Sequence, residues 1–144
     1  MSEKSPRRQA AEEWLARAAG HLKTARHIAA APDLPPADAA FHAQQAAECS
    51  LKAFLAAHGA ALRRTHDLFV LAQQCRDIDE SFPDFGLRAT SLTTYAVEAR
   101  YPPFASRVTT AEAMEAIAFA EDICRSVRTR LGLPDVSSAG STSE

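Results

Sequence analysis

Apolar residues recur along the chain at three- and four-residue steps, and nowhere in strict alternation. That spacing belongs to helices that each bury one face. In the first helix Ala11, Trp14, Leu15, Ala18, Leu22, Ala25 and Ala29 form one stripe, with Glu13, Arg17 and Lys23 off it. The pattern predicts a helix from about Pro6 to Ala31. "PDLPP" at 32–36 ends it, since proline removes a donor and clashes with the preceding turn. A second helix is predicted from about Pro36, tolerated in a first turn, to His58, with Gly59 as the stop. Its face carries Ala40, Ala43, Ala47, Leu51, Phe54 and Leu55.

A third helix is expected after Thr65 to about Arg76, on Leu68, Leu71, Ala72 and Cys75. "DIDESFPDFG" reads as a polar, turn-rich connection. A fourth helix follows from about Asp84 to Glu98, broken by the prolines of "ARYPPFASRVT". A fifth runs from about Thr110 to Leu131, with Thr109 or Thr110 as N-cap and Glu112 near the positive end of the helix dipole. The expected fold is an all-α, up-and-down antiparallel bundle of about five helices. The bundle domain spans 8–131. The small polar residues of 132–144 read as a disordered tail.

The 144 residues suit one domain, and a 47% share of hydrophobic residues with only five glycines suits a packed helical one. The net charge of −2 argues against a generally basic nucleic-acid binder, leaving room for a local basic patch. Cys49, Cys75 and Cys124 sit inside apolar patterns without Cys-x-x-Cys spacing, so they read as buried small hydrophobes. No apolar run reaches the ~18 residues of a membrane span. "MSEKSPRRQAAEEW" has no apolar core of a secretory leader, so the expectation is a cytoplasmic protein with no membrane attachment.

Candidate chemistry gathers in three places. "GAALRRTHDLFVLAQQC" at 59–75 sets Arg63 and Arg64 ahead of His66 and Asp67. One reading makes His66 a general base oriented by Asp67, with an arginine on a phosphate. The other makes Thr65 a helix cap, Asp67 a first-turn residue favouring the dipole, and His66 a loop brace. "YAVEARYPP" at 95–103 offers Arg100 for a phosphate and Tyr101 for a stacked base, or else a cation at a helix C-terminus and a packed ring. In "FHAQQAAECSLKAFL", Phe41, Gln45, Glu48 and Lys52 share one edge. Gln44 falls in the apolar face and needs partners if buried. His42 points away from that edge and is expected to be solvated. No spacing suits a metal site, a glycine-rich phosphate loop or a nucleophile elbow.

Three blocks, "FHAQQAAECSLKAFLAAHG" at 41–59, "THDLFVLAQQC" at 65–75 and "LTTYAVEARYP" at 92–102, resemble the HEPN domain family in content and order. The resemblance extends from about Trp14 to Val127. It implies a helical bundle that commonly dimerises. Prokaryotic members are often encoded beside a small nucleotidyltransferase, many as toxin–antitoxin pairs. The family was proposed to bind nucleotides, and many members are metal-independent RNases with an Arg-x4-6-His motif. This chain departs from that motif. Arg63 and Arg64 stand too close to His66, His58 precedes Arg63, and no histidine follows Arg100. The expectation is therefore a dimeric, nucleotide-associated module acting with a nucleotidyltransferase, rather than an enzyme. It has no cofactor beyond a nucleotide ligand. Its site residues are Arg100, Tyr101, His66, Asp67, Arg63 and Arg64, with Lys52 and Gln45 as secondary contacts. Two alternatives stand beside it: an RNase acting on RNA through a degenerate site with His66, and a bundle that only associates with other helices.

Overall fold

The computed structural model describes residues 5–98 and 101–135. Among these, six helices and no strand appear: α1 Pro6–Ala30, α2 Pro36–Ala57, α3 Leu68–Ile78, α4 Gly86–Val97, α5 Pro102–Ala105 and α6 Thr110–Arg130. The prolines after α4 do break it, but Pro102 then opens α5, a single turn, which raises the expected five helices to six. The chain then leads into α6 through Val108, which is buried.

Helix starts follow local chemistry. Ser5 caps α1 by accepting from the Arg8 amide, with Pro6 at the first position. Thr109 and Glu112 form a reciprocal capping box at α6, at 2.9 and 3.1 Å. Gly59 stops α2 with φ +69°, a left-handed conformation that glycine adopts without penalty. The end of the Arg7 side chain lies in the space a Cβ would need there and would have to move aside for one.

Helix α2 is the centre of the bundle. It packs against α1, α6, α3 and α4, and its alanines Ala39, Ala40, Ala43, Ala46, Ala47 and Ala53 are fully buried. A helix apolar on one face only would not suit that position. The small side chains let neighbouring backbones approach closely. Leu51, Phe54 and Leu55 supply the bulk of the interior, with Leu68, Leu71 and Ile123 packed against them. All three cysteines are buried free thiols, as their apolar settings imply. Burial pushes Cys75 up to about 12 and Cys49 and Cys124 up to about 11, so none is a thiolate at neutral pH.

Two sequence expectations need correction. The connection 79–85 is not merely polar: Phe82 is fully buried, 5.0 Å from the Phe54 ring. The segment after Leu131 also begins with structure. Leu133 donates its amide to the Arg128 carbonyl at 2.8 Å and packs on the core, and Asp135 pairs with Arg125 at 3.2 Å. Residues 136–144 lie outside the described residues.

Candidate functional site

The corner between α2 and α3 is built around a buried carboxylate. Gln44, Glu48 and Lys52 stand four residues apart on α2 and so share one face. Glu48 is only 5% exposed. Its Oε2 accepts from Lys52 Nζ at 2.8 Å, and its Oε1 lies 3.0 Å from His66 Nδ1 and accepts from Gln44 Nε2 at 3.3 Å. Burial alone would push this carboxyl up. The hydrogen bonds from Lys52 and His66, the Lys52 charge and the Gln44 amide outweigh burial and hold it below its ordinary value. The Lys52 side chain is 12% exposed, its ammonium 5.4 Å above the Trp14 ring on α1, where Arg17 also stacks at 5.8 Å.

Gln44 is fully buried and fully occupied. Besides Glu48, its Nε2 donates to the His66 carbonyl at 3.1 Å, and its Oε1 accepts from Gln45 Nε2 at 2.7 Å. It bonds across the bundle to the loop. The loop end is thus held at backbone and ring together, while the His66 side chain remains 59% exposed.

Asp67, not Thr65, is the N-cap of α3. Its carboxylate accepts from the Phe69 and Val70 amides, and Thr65 Oγ1 accepts from the Asp67 amide at 3.0 Å. The Leu68 amide donates to Thr93 Oγ1 of α4 at 2.9 Å. The first amides of α3 are therefore all satisfied, and an anion at this corner would have to be held by side chains. Asp67 is committed to the cap rather than to its expected role of orienting His66; Glu48 occupies that role's geometry.

Arg63 and Arg64 are exposed, with no described carboxylate in ion-pair range of either. Tyr101 is 61% exposed at the start of α5, its carbonyl accepting from the Ala105 amide at 2.8 Å. The ring does not pack on the bundle. Arg100 lies outside the described residues. The structure thus gathers Gln45, Lys52 and His66 into one network, sets Arg63 and Arg64 on the loop that ends at His66, and places Tyr101 on another segment, at the start of α5.

Two features escape a reading of the sequence. Glu48 is visible there only as half of a helix ion pair; its centrality depends on His66 arriving from another element. His42 is not solvated. It is half-buried, with its Nδ1 3.0 Å from Nδ1 of His21 on α1. Burial, then His42 and Arg17, hold His21 below its ordinary value, against a smaller opposing pull from Glu48. Among the described residues no three His, Cys, Asp or Glu side chains converge as metal ligands, and no helix is long and apolar enough to cross a membrane.

No curated protein matches the chain. Among solved structures, it is similar to TT1696 from Thermus thermophilus, with 32% identity and a TM-score of 0.74, over 83% of this chain and 96% of that one. The HEPN domain family matches residues 11–130, which include all the described site residues. The chain belongs to the HEPN domain family.

Proposed function

We propose that this HEPN protein is a nucleotide-associated module that binds a phosphate-bearing ligand at the α2–α3 corner. In this reading it is a homodimer and acts with a small nucleotidyltransferase in a toxin–antitoxin-like pair. The supporting observation is the contrast within one loop. His66 is anchored by a buried, charge-compensated carboxylate, while Arg63 and Arg64 beside it are exposed and have no described acidic partner. Exposed guanidinium groups without carboxylate partners suit phosphate oxygens. Lys52 and Gln45 serve as braces rather than contacts, Asp67 as the cap, and Arg100 and Tyr101 as further ligand or partner contacts from the α4–α5 segment.

The test is binding of AMP, followed by calorimetry, together with thermal unfolding. Arg63→Ala/Arg64→Ala weakens binding about tenfold or more while stability moves within about 0.5 kcal/mol. Unchanged affinity in that variant sinks the corner as a phosphate site. Co-purification of a stoichiometric nucleotidyltransferase from the native host tests the partner.

A second reading, metal-independent cleavage of RNA, is favoured by one observation: His66 against Glu48 has the form of an oriented acid–base group. It predicts cleavage in the presence of EDTA that His66→Ala abolishes. Equal cleavage by parent and variant ends it.

A further inference from the structure

The α2–α3 corner contains more machinery than a phosphate clamp requires. Taking a carboxylate and an ammonium out of water is costly, and an apolar pair of similar volume would often serve the fold as well or better. Glu48 is nonetheless buried against a largely covered Lys52, and the carboxylate reaches an exposed histidine.

We propose that Glu48 is the positioning residue of His66, fixing its ring with Nδ1–H inward and Nε2 toward the ligand, so that the corner recognises a phosphate ester that also carries a free hydroxyl. The hydroxyl clause rests on the ligand reading above; the positioning clause stands without it.

Three observations carry the positioning. First, an ionised carboxylate only accepts hydrogen bonds. With His66 Nδ1 3.0 Å from Glu48 Oε1, the proton on that nitrogen belongs to the ring. A free neutral histidine prefers the proton on Nε2, so the contact selects the less common tautomer. Second, the backbone that bears the ring is itself held. Gln44 holds the His66 carbonyl, and its own orientation is set because both groups facing its Nε2, that carbonyl and Glu48 Oε1, are acceptors. Gln45 completes it by donating to Gln44 Oε1. Third, Lys52 already balances Glu48 at 2.8 Å. A single N–H from the ring therefore completes the hydrogen bonding of the carboxylate.

A neutral ring held this way presents a lone pair on Nε2. It accepts a hydrogen bond and cannot donate one to a phosphate oxygen. The donors for the phosphate are then Arg63 and Arg64, and Nε2 is matched to a ligand O–H. A nucleoside monophosphate offers both groups, the phosphate and the ribose hydroxyls.

The first measurement is the two-bond proton–nitrogen NMR spectrum of the full chain with labelled histidine, at about pH 8, where imidazoles are neutral. The wild type is expected to show His66 protonated at Nδ1 and bare at Nε2. Protonation at Nε2 in the wild type overturns the positioning role outright. Glu48→Met alone leaves Lys52 buried without its partner and is prone to misfold, so the informative variant is Glu48→Met/Lys52→Met, which replaces the pair with apolar groups of similar size. It should fold and move the His66 proton to Nε2. Retention of the Nδ1–H form in that double variant also overturns the proposal, because something other than Glu48 would then set the ring.

The hydroxyl clause is tested by AMP against 2′,3′-dideoxyadenosine monophosphate. The wild type is expected to prefer AMP about tenfold, and His66→Ala to bind the two alike. Equal affinities in the wild type overturn the clause. Absence of binding to either nucleotide removes the ligand reading itself, while the NMR result stands independently of it.

Discussion

The two connections that flank α3 use arginine in opposite ways. In the α3–α4 connection two guanidinium groups are bonded to the loop's own carbonyls. Arg76 donates to the Phe82 carbonyl at 2.5 Å, and Arg130 donates to the Ser81 carbonyl at 2.6 Å while its guanidinium lies 5.3 Å from the Phe82 ring. Asp79 accepts from the Ser81 amide and hydroxyl, and Arg130 Nε stands 3.6 Å from its other oxygen. Those arginines latch a loop whose centre, Phe82, plugs the core. In the α2–α3 connection the plug is absent, and the loop is secured at its ends, by Gly59 on one side and His66 with Asp67 on the other. Its arginines are left exposed. Composition does not separate these loops; the commitment of the guanidinium groups does. An arginine bonded to carbonyls closes a backbone segment, whereas one left in solvent on an anchored loop is available to a ligand.

The largest expected effect comes from attacking the latched side. Phe82→Ala removes a fully buried ring that touches Phe54 and Phe85. It should cost about 3–5 kcal/mol in chemical denaturation. AMP affinity of the folded protein should stay near the parent value, because the other loop is untouched. A Phe82→Ala protein as stable as the parent would contradict the plug. The next effect is smaller and falls on the open side. Lys52→Ala leaves the Glu48 carboxylate buried with only the Gln44 amide and the His66 ring as donors, a loss of about 2–3 kcal/mol. It should weaken ligand binding as well, through a disordered His66. A stability loss without any change in binding would make the Glu48 network a fold element like the latch and erase the contrast between the two loops.

Much of this is legible in the sequence where one element decides the matter. The stripes of α1 and α6, the stop at Gly59 and the capping box at Thr109 are local, and the helices begin and end near their predicted places. Phe82 is not legible, because a single aromatic within "DIDESFPDFG" has no periodicity; only the ring of Phe54 on α2 and the two arginines from α3 and α6 show it to be core. The site is half legible. Gln44 stands out as a polar residue in an apolar stripe, and Glu48 with Lys52 as a helical pair. Their conversion into a support for His66 needs the loop to return across α2, which spacing along the chain does not encode. Asp67 illustrates the same limit at short range. Thr65 and Asp67 both suit the helix start by residue type; Asp67 is the cap, and the Leu68 amide next to it is satisfied from another element, by Thr93 of α4. Asp67→Ala should therefore cost about 1 kcal/mol, the usual loss for a side-chain cap, with faster amide exchange confined to the first turn of α3. Faster exchange spread through α4 as well would mean that the cap also holds the α3–α4 contact.

The smallest expected effect is on the pH dependence of stability. The open side of the molecule contains the half-buried His21 and the buried Glu48, whereas the latched side has Asp79, a partly exposed carboxyl held low chiefly by its hydrogen bonds from Ser81. The folded protein holds a proton on His21 less readily than the unfolded chain, whose histidine titrates at about 6.5. Below that value the unfolded state binds more protons, so stability rises with pH through this window and is fully present above it. As pH falls from about 6.5, the stability contributed by neutral His21 is lost progressively until the folded group titrates. Glu48 is held below its ordinary value too, and its contribution is lost in a separate, lower window, beneath the unfolded carboxyl value of about 4.3. Acid should thus loosen the α1–α2 side first, and amide exchange at about pH 5.5 should rise there before it rises around Phe82. His21→Asn places a non-titrating amide where the ring nitrogen meets His42, and should flatten the upper step while leaving the lower one in place. A parent protein whose stability is level from about pH 7 to 5.5 would show that protonating His21 costs the fold nothing, and would leave Glu48 as the acid-sensitive point of the open side.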